Sequence, residues 1–398
     1  MRPYAQSKEL TGETGYAATK LLVIGAGPFG LAVAAYARRH QIDHLVVGRV
    51  MDFWKHNMPK GMFLRSASDW HYDPFNEDTI ERFLEVRDLN PADVDPFPLD
   101  LYLEYCEWFR QQKGIEAIPA TVRQLNHTDD VVPLFEAVLD DGEKITAENV
   151  VVALGFSYFK NMPDPYPALF PPERLVHTCD FVDFTSLQGE RVLIIGGRQS
   201  AFEWAALIRE QGAAAVHLSY RHATPSFEPS DWSWVNPLVD SMPPDPGWFR
   251  RLTAEEKEQV SRRMWGEGRL KLEPWLAARI NHDGVKLHPN SQVTKCKSSS
   301  DALEVELSNG EVLAIDQVVL ATGYKVDVGK IPLLVNGNIL RKLEVKNGFP
   351  VLDEHFQSSI RGLFFTSMCA TQDFGPFFAF TVSVRASALL IGAALKSG

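Results

Sequence analysis

Cysteine is scarce in this 398-residue chain: Cys106, Cys179, Cys296 and Cys369 stand far apart, with no C-x-x-C among them. That spacing excludes a disulfide framework, a zinc site of the usual kind and a redox dithiol, and leaves free thiols in a reducing cytoplasm as the expectation. Basic charge is in deficit as well. Lys and Arg number 40 against 51 Asp and Glu, a formal net charge of −11 with no basic cluster to track a nucleic-acid backbone. Nucleic acid is therefore excluded as a partner. Met1 to Lys20 is polar, carries Glu9 and Glu13 and lacks an apolar core, so it does not read as a secretory signal. Phe374 to Leu395 comes nearest to membrane length, but Pro376, Ser383, Arg385 and Ser387 interrupt it. A charge at mid-span costs about 2.5 kcal/mol or more, so the run reads as a buried core helix in a protein with no membrane anchor.

What is present is one grammar written twice. Thr19 to Ile24 is a short apolar run suited to a buried parallel strand; it ends in Gly25-Ala26-Gly27-Pro28-Phe29-Gly30, and an Ala-rich helical stretch follows from Leu31 to His40. Arg191 to Ile195 ends likewise in Gly196-Gly197-Arg198-Gln199-Ser200-Ala201, before a helical stretch from Phe202 to Gln211. A further β-type run follows each, His44 to Val47 and Ala215 to Tyr220, so each segment opens a βαβ unit. Asn149 to Ala153, before Leu154-Gly155, and Gln317 to Leu320, before Ala321-Thr322-Gly323, are apolar strands that bracket the second unit. The expected organisation is one dinucleotide-binding domain inserted within another. Thr121 to Ile145 and Gln292 to Ile315 read as small antiparallel sheets around turns at Asp141-Gly142 and Asn309-Gly310. Ala223 to Asn290, rich in Pro and Trp and helical from Thr253 to Met264, reads as an elaboration over a cleft.

The physical demands of a bound dinucleotide explain the glycines. Gly25 makes the tight turn, Gly27 lets backbone approach a pyrophosphate, and Gly30 lets helix pack on strand; Pro28 and Phe29 lie at the helix start, whose N–H groups and positive dipole end face the anion. The acidic residue expected about 20 positions on, for the ribose hydroxyls, is missing. Val46, Val47, Gly48 and Arg49 stand there, so ribose contacts must come from elsewhere. In the second turn Gly196 and Ala201 fit, with Gly197, Gln199 and Ser200 between them, but Arg198 occupies the close-approach position. Its guanidinium is itself a bidentate anion donor. The second strand of that unit ends in Ser219-Tyr220-Arg221-His222, without a carboxylate for a ribose 2′-OH but with Arg221, which suits a 2′-phosphate and hence NADPH over NADH.

Two dinucleotide sites, the second inserted in the first, resemble the two-dinucleotide-binding-domain flavoproteins, and among them the class B flavin monooxygenases (flavin-containing, Baeyer-Villiger and N-hydroxylating enzymes). The resemblance runs from about Lys20 to Ala394. Trp54-x-x-Asn57-x-Pro59-x-Gly61 looks like their W-x-x-N-x-(Y)-P-G segment, Pro98 to Phe109 is similar to their Pro-initiated helix, and Leu320-Ala321-Thr322-Gly323-Tyr324 to their A-T-G-Y turn. His177-Thr178-Cys179-Asp180-Phe181 keeps the His and an aromatic residue of their fingerprint before the NADPH site, with Pro171 and Glu173 where Phe and Gly are usual. Leu64-Arg65-Ser66-Ala67-Ser68 stands where flavin-containing members carry an Asn, so no Asn role carries over. Asp373-Phe374-Gly375-Pro376-Phe377 resembles the start of their C-terminal helix, whose N-terminus faces the isoalloxazine and stabilises negative charge on the reduced ring. The disulfide reductases of the same superfamily need a dithiol that this chain lacks.

The resemblance implies an α/β protein with two Rossmann-like domains. FAD would lie in a domain of residues 1–158 and 313–398, and NADPH in residues 159–312, with the elaboration at 223–290. It also implies a monooxygenase that forms a flavin C4a-(hydro)peroxide and transfers one atom of dioxygen to a small organic substrate, with a homodimer left open. Aromatic residues crowd at Phe53 to Tyr72, Phe227 to Trp234 and Phe374 to Phe380, as water exclusion from such a site requires. Arg65, His71 and Asp73 are the candidates near the flavin face, the chemistry being otherwise the cofactor's. Two other classes share the same sites: an NADPH-dependent flavin reductase or oxidase without oxygen insertion, and a non-enzymatic nucleotide-sensing flavoprotein.

Overall fold

The computed structural model describes residues 16–66, 69–128, 134–299 and 301–397; most of Met1 to Lys20, and Ala67 and Ser68 of the loop after Arg65, lie outside them. β1 (Tyr16–Ile24) carries the apolar run whose Leu21, Leu22, Val23 and Ile24 are buried, and it feeds through the first glycine turn into α1 (Pro28–Arg39). β2 (His44–Val47) returns beside β1 with Leu22 opposite Leu45. After α2 (Leu99–Lys113) come β3 (Val122–His127), β4 (Phe135–Leu139) and β5 (Lys144–Val152).

β5 is the pivot of the first sheet. One of its edges pairs in parallel with β1 along its length; on the other, Lys144 to Ala147 pair antiparallel with β4. Val150 to Val152 on that second edge pair in parallel with a strand from near the C-terminus, reached below. The hairpin expected at Asp141-Gly142 is therefore an extension of the parallel sheet and not a separate layer.

The chain then crosses to a second sheet through β6 (Leu175–His177), β7 (Arg191–Ile195), α3 (Gln199–Glu210), β8 (Ala215–Ser219), α4 (Ala254–Arg269) and β9 (Val285–His288). β10 (Val293–Ser298), β11 (Leu303–Leu307) and β12 (Val312–Ile315) form an antiparallel sheet turned at Asn309-Gly310. Its inward Leu303, Val305 and Leu307 share a core with Leu193 and Ile195 of β7. β13 (Gln317–Leu320) then enters the middle of the second sheet, in the order β9-β8-β7-β13-β6, all parallel.

β13 corrects the boundary drawn at 313. Gln317 to Leu320 pair with β7 and β6, and the first core is rejoined after them, by Tyr324 at its margin and by the buried Val326. A four-residue apolar strand serves either sheet equally well, and only its hydrogen-bond partners decide which. The returning chain supplies β14 (Leu363–Phe365), the parallel partner of β5, and ends in α5 (Val384–Ser397). α5 packs along α1, close enough that a side chain at Gly392 would strike the Tyr36 ring. A second correction concerns its start. Gly375, at φ +103°, and Pro376 break the helix expected from Asp373 into short turns over Thr371–Phe374, Pro376–Ala379 and Thr381–Ser383. Phe374, Phe377 and Phe378 are buried there. No helix among the described residues is long and apolar enough to cross a membrane.

Candidate functional site

A cleft of about 1030 Å³, mouth included, opens at the C-terminal ends of β1, β2 and β5. This is where open parallel sheets bind ligands. Its floor is the first glycine turn. Gly25 sits at φ +115° with its missing side chain against the Ala153 carbonyl, and Gly30 faces the Gly25 carbonyl, so neither tolerates a Cβ. At Gly27, the N-cap of α1, nothing stands within 4 Å of where a Cβ would be. That open cradle beside the free N–H groups of a helix start is the size and polarity a pyrophosphate needs. Pro28, Phe29 and Trp54 line the same cleft, Trp54 with its ring 4.8 Å from that of Tyr102.

Arg49, Asp52, Thr121 and Thr381 also line it and were not singled out from sequence. Their only signal was negative, the missing acid at the end of β2. Gly48 stands at that strand end with φ +149°, its Cβ position 2.9 Å from the Ala26 nitrogen. The polar groups come instead from the next turn, at Arg49 and Asp52.

The second glycine turn repeats the first. Gly196, at φ +150°, faces the Ala321 carbonyl 2.5 Å from its Cβ position, as Gly25 faces that of Ala153. A Cβ at Gly197 would come within 2.6 Å of that of Tyr220, and Ala201 is buried where Gly30 lies in the first unit. Arg198 is the N-cap of α3, and its guanidinium lies 4.9 Å above the Trp265 ring. Gln199 is buried, accepting from the Glu273 N–H while its own amide nitrogen has no partner among the described residues. Ser200 is exposed, and so is Arg221 beyond the end of β8. Ser219 points inward to the Ser291 hydroxyl at 3.2 Å and offers no ligand contact.

Several sequence candidates lie away from the cleft. Asp373 accepts from the Leu352 N–H, and Gly375 and Pro376 belong to the broken turns behind the cleft wall. The Asn57 amide donates to the Cys179 carbonyl and ties the first unit to the second. The Gly323 carbonyl accepts from the Asn161 N–H and pairs with His177 Nε2, so this turn closes the crossing between the units. Arg65, His71 and Asp73 are structural. Arg65 holds Glu273 at 2.7 Å, the Gly268 carbonyl at 2.6 Å and the Ser230 hydroxyl, anchoring the elaboration. Burial opposes the Asp73 charge, but Lys113 at 2.6 Å and the N–H groups of Phe75 and Asp78 outweigh it and hold the carboxyl below its ordinary range. Burial, with Arg385 nearby, pushes His71 down to about 4, so it is neutral at pH 7 and accepts from the Asp73 N–H. A buried turn that needs its own charges satisfied reads in sequence like a reactive cluster.

Glu203 of α3 was missed. It is buried at the contact between the units, accepting from the Phe63 N–H at 3.0 Å, and burial pushes its carboxyl up to about 7. Burial likewise pushes the thiols of Cys106, Cys179 and Cys369 up to about 12, and all four cysteines are free. No thiolate pair exists among them.

Residues 19–376 match the family described as pyridine nucleotide-disulphide oxidoreductase. The FAD-dependent urate hydroxylase of Xanthomonas campestris pv. campestris is 23% identical over 237 residues, 59% of this chain and 48% of that protein. The chain thus spans about half the length of that relative. The probable indole-3-pyruvate monooxygenase YUCCA8 of Arabidopsis thaliana is 24% identical over 87% of this chain and 82% of its own. Among solved structures, the ornithine N-hydroxylase of Kutzneria sp. 744, with reduced FAD, NADP⁺ and L-ornithine, superposes with a TM-score of 0.77 at 16% identity, covering 96% of this chain and 99% of that one. At that identity the superposition speaks for the fold, and the matched family speaks for descent. The chain belongs to the pyridine nucleotide-disulphide oxidoreductase family.

Proposed function

We propose that the protein is an FAD-dependent, NADPH-consuming monooxygenase acting on a small organic molecule, with dioxygen as co-substrate. The observation that carries this is the pairing of two like glycine turns in a chain with no dithiol: one opens onto a cleft at Gly27, and the other presents Arg198 and leads to Arg221. FAD, once reduced by NADPH, supplies the oxygen chemistry. The chain binds, orients and excludes water. α1 offers its first N–H groups to the pyrophosphate over Gly27, while Arg49, Asp52 and Thr121 stand along the cleft as polar groups for the adenosine end. Phe53, Phe156 and Phe380 make the cleft wall aromatic, and the ring of Tyr324 of the crossing lies tilted against that of Phe156, centroids 4.8 Å apart. Such a wall keeps water from a reactive site.

The substrate is a soft nucleophile or a carbonyl compound: an amine, a thioether or a ketone. The test is turnover with labelled dioxygen across a panel of these. One labelled atom in the organic product and one in water is the expected result. Hydrogen peroxide matching NADPH one for one, with no labelled product, would replace this reading by an NADPH oxidase.

A further inference from the structure

Ser367 stands two residues beyond the end of β14 and lines the cleft. Its backbone lies in the left-handed region at φ +61°, where a residue that carries a Cβ is strained. Most other residues in that conformation have a visible reason for it. Asn76, Asp88, Asn290 and Asn347 are of the two types that tolerate it. Gln41 and Met51 donate their N–H groups to the Arg38 and Ala26 carbonyls, and the Phe356 ring stacks on that of Phe374 with centroids 3.8 Å apart. The Ser367 side chain has no such anchor: its hydroxyl has no hydrogen-bond partner among the described residues, although the residue is only 2% exposed.

The place of Ser367 along the sheet decides which part of a ligand it meets. Ile24, Val152 and Phe365 stand abreast on β1, β5 and β14. With neighbouring strands about 4.8 Å apart, the end of β14 lies roughly 10 Å from the end of β1. β2 lies on the opposite side of β1. A dinucleotide with its pyrophosphate over Gly27 and its adenosine toward Arg49 and Asp52, past the end of β2, therefore sends its other arm over β5 toward β14. In FAD that arm is the ribityl chain, a polyol whose hydroxyls need partners.

We infer that Ser367 is a ribityl-binding residue: its left-handed backbone presents the hydroxyl to the polyol arm of FAD, and the strain persists because that contact depends on it. A glycine would take the same conformation without strain but would bring no hydroxyl. This rests on the FAD site proposed above. The first glycine turn and Ser367 thus divide the ligand between them, the turn holding the part common to all adenosine diphosphates and Ser367 the part that distinguishes FAD.

The test uses the FAD-loaded full chain and needs no turnover. FAD affinity is read from the recovery of flavin fluorescence on dilution, and ADP affinity from the displacement of bound FAD; ADP carries the adenosine and the pyrophosphate without the ribityl chain. Ser367→Ala and Ser367→Gly should each weaken FAD by about three- to tenfold, the range of one neutral hydrogen bond, and leave ADP affinity unchanged. At saturating FAD both variants lack the hydroxyl, and only the glycine variant lacks the strained Cβ. Ser367→Gly should therefore melt about 1 to 3 °C above Ser367→Ala, strain relief being partly offset by the looser unfolded chain. Undiminished FAD affinity in Ser367→Ala would overturn the inference, and so would equal losses of FAD and ADP, which would make Ser367 a support of the glycine turn. A glycine variant that melts no higher than the alanine variant would remove the strain on which the inference stands. Wild-type protein that holds neither FAD nor ADP would overturn the assignment of the cleft and this role with it.

Discussion

At the residue scale, the two glycine turns differ in what a side chain would meet, and the difference gives testable outcomes. Gly27 has open space before it, so Gly27→Val folds, but its two methyls enter the pyrophosphate cradle. The variant should purify without FAD; yellow, fully loaded protein would remove the assignment of the cleft. Arg221 has the converse logic. A charge-assisted hydrogen bond contributes about 1.5 to 3 kcal/mol, so Arg221→Ala should raise the KM for NADPH by roughly ten- to a hundredfold and leave NADH use nearly unchanged. Equal losses with both nucleotides would mark Arg221 as structural. Glu203 carries a pH signature instead. Burial raises its folded-state value from 4.5 to about 7, so the folded protein holds a proton there that the unfolded chain has released. Stability from this group is full below pH 4.5 and is lost as pH rises towards 7, with a total on the order of 3 kcal/mol. His71 and His217, pushed down to about 4 chiefly by burial, work in the opposite sense over much of that range. The difference between wild type and Glu203→Gln isolates the carboxyl: relative to the variant, the wild-type melting temperature should fall between pH 5 and pH 7.5. A flat difference would mean that Glu203 is ionised throughout.

At the element scale, the sequence was legible wherever one local rule decides the outcome. β1, the turn at Gly25 to Gly30 and α1 stand where the pattern puts them, as do β7, α3 and the hairpins around Asp141-Gly142 and Asn309-Gly310. It was not legible where a short element serves two structures equally well. β13 reads as an apolar strand in either sheet, and only its partners, Val192 to Ile195 on one side and Leu175 to His177 on the other, show which. The start of α5 was misplaced because Gly375 and Pro376 suit a helix start by type, while the chain uses them to break one. Arg65 illustrates the same limit among side chains, since its role comes from segments about 200 positions away. That role is itself testable. Arg65 joins β-unit loop to elaboration through Glu273, Gly268 and Ser230, with little of its side chain exposed. Removing one partner of a buried pair costs about 3 to 5 kcal/mol, so Arg65→Ala should expose residues 223–290 to early proteolysis. Arg65→Lys should not restore protection, because an ammonium cannot reach three acceptors in a fork. Protection equal to wild type in the Lys variant would reduce the contact to its charge alone.

At the scale of the whole molecule, the two units meet in such a way that the cleft is walled by segments from distant parts of the chain. The crossings are laced to each other, Asn161 N–H to the Gly323 carbonyl at 2.9 Å and Lys325 N–H to the Phe159 carbonyl at 2.8 Å. The elaboration and the C-terminal turns then close ring on ring, Trp232 against Phe380 at 6.2 Å and Trp248 against Phe377 at 6.2 Å. Phe380 belongs both to this seam and to the cleft wall, whereas Trp232 belongs to the elaboration and reaches the wall only through it. Phe380 is half-buried, and deleting its ring widens the cleft at a point where Thr381 and other polar groups let water enter. Phe380→Ala should therefore uncouple the enzyme: per bound FAD, NADPH consumption continues while hydrogen peroxide rises and oxygenated product falls. Trp232→Ala should produce the same shift in smaller measure, because Phe380 stays in the wall when its outer support is lost. The measurement is the ratio of peroxide to NADPH in the presence of a turned-over substrate. A ratio unchanged in both variants would show that water exclusion does not run through this seam, and that the aromatic crowding at Phe374 to Phe380 is core packing alone.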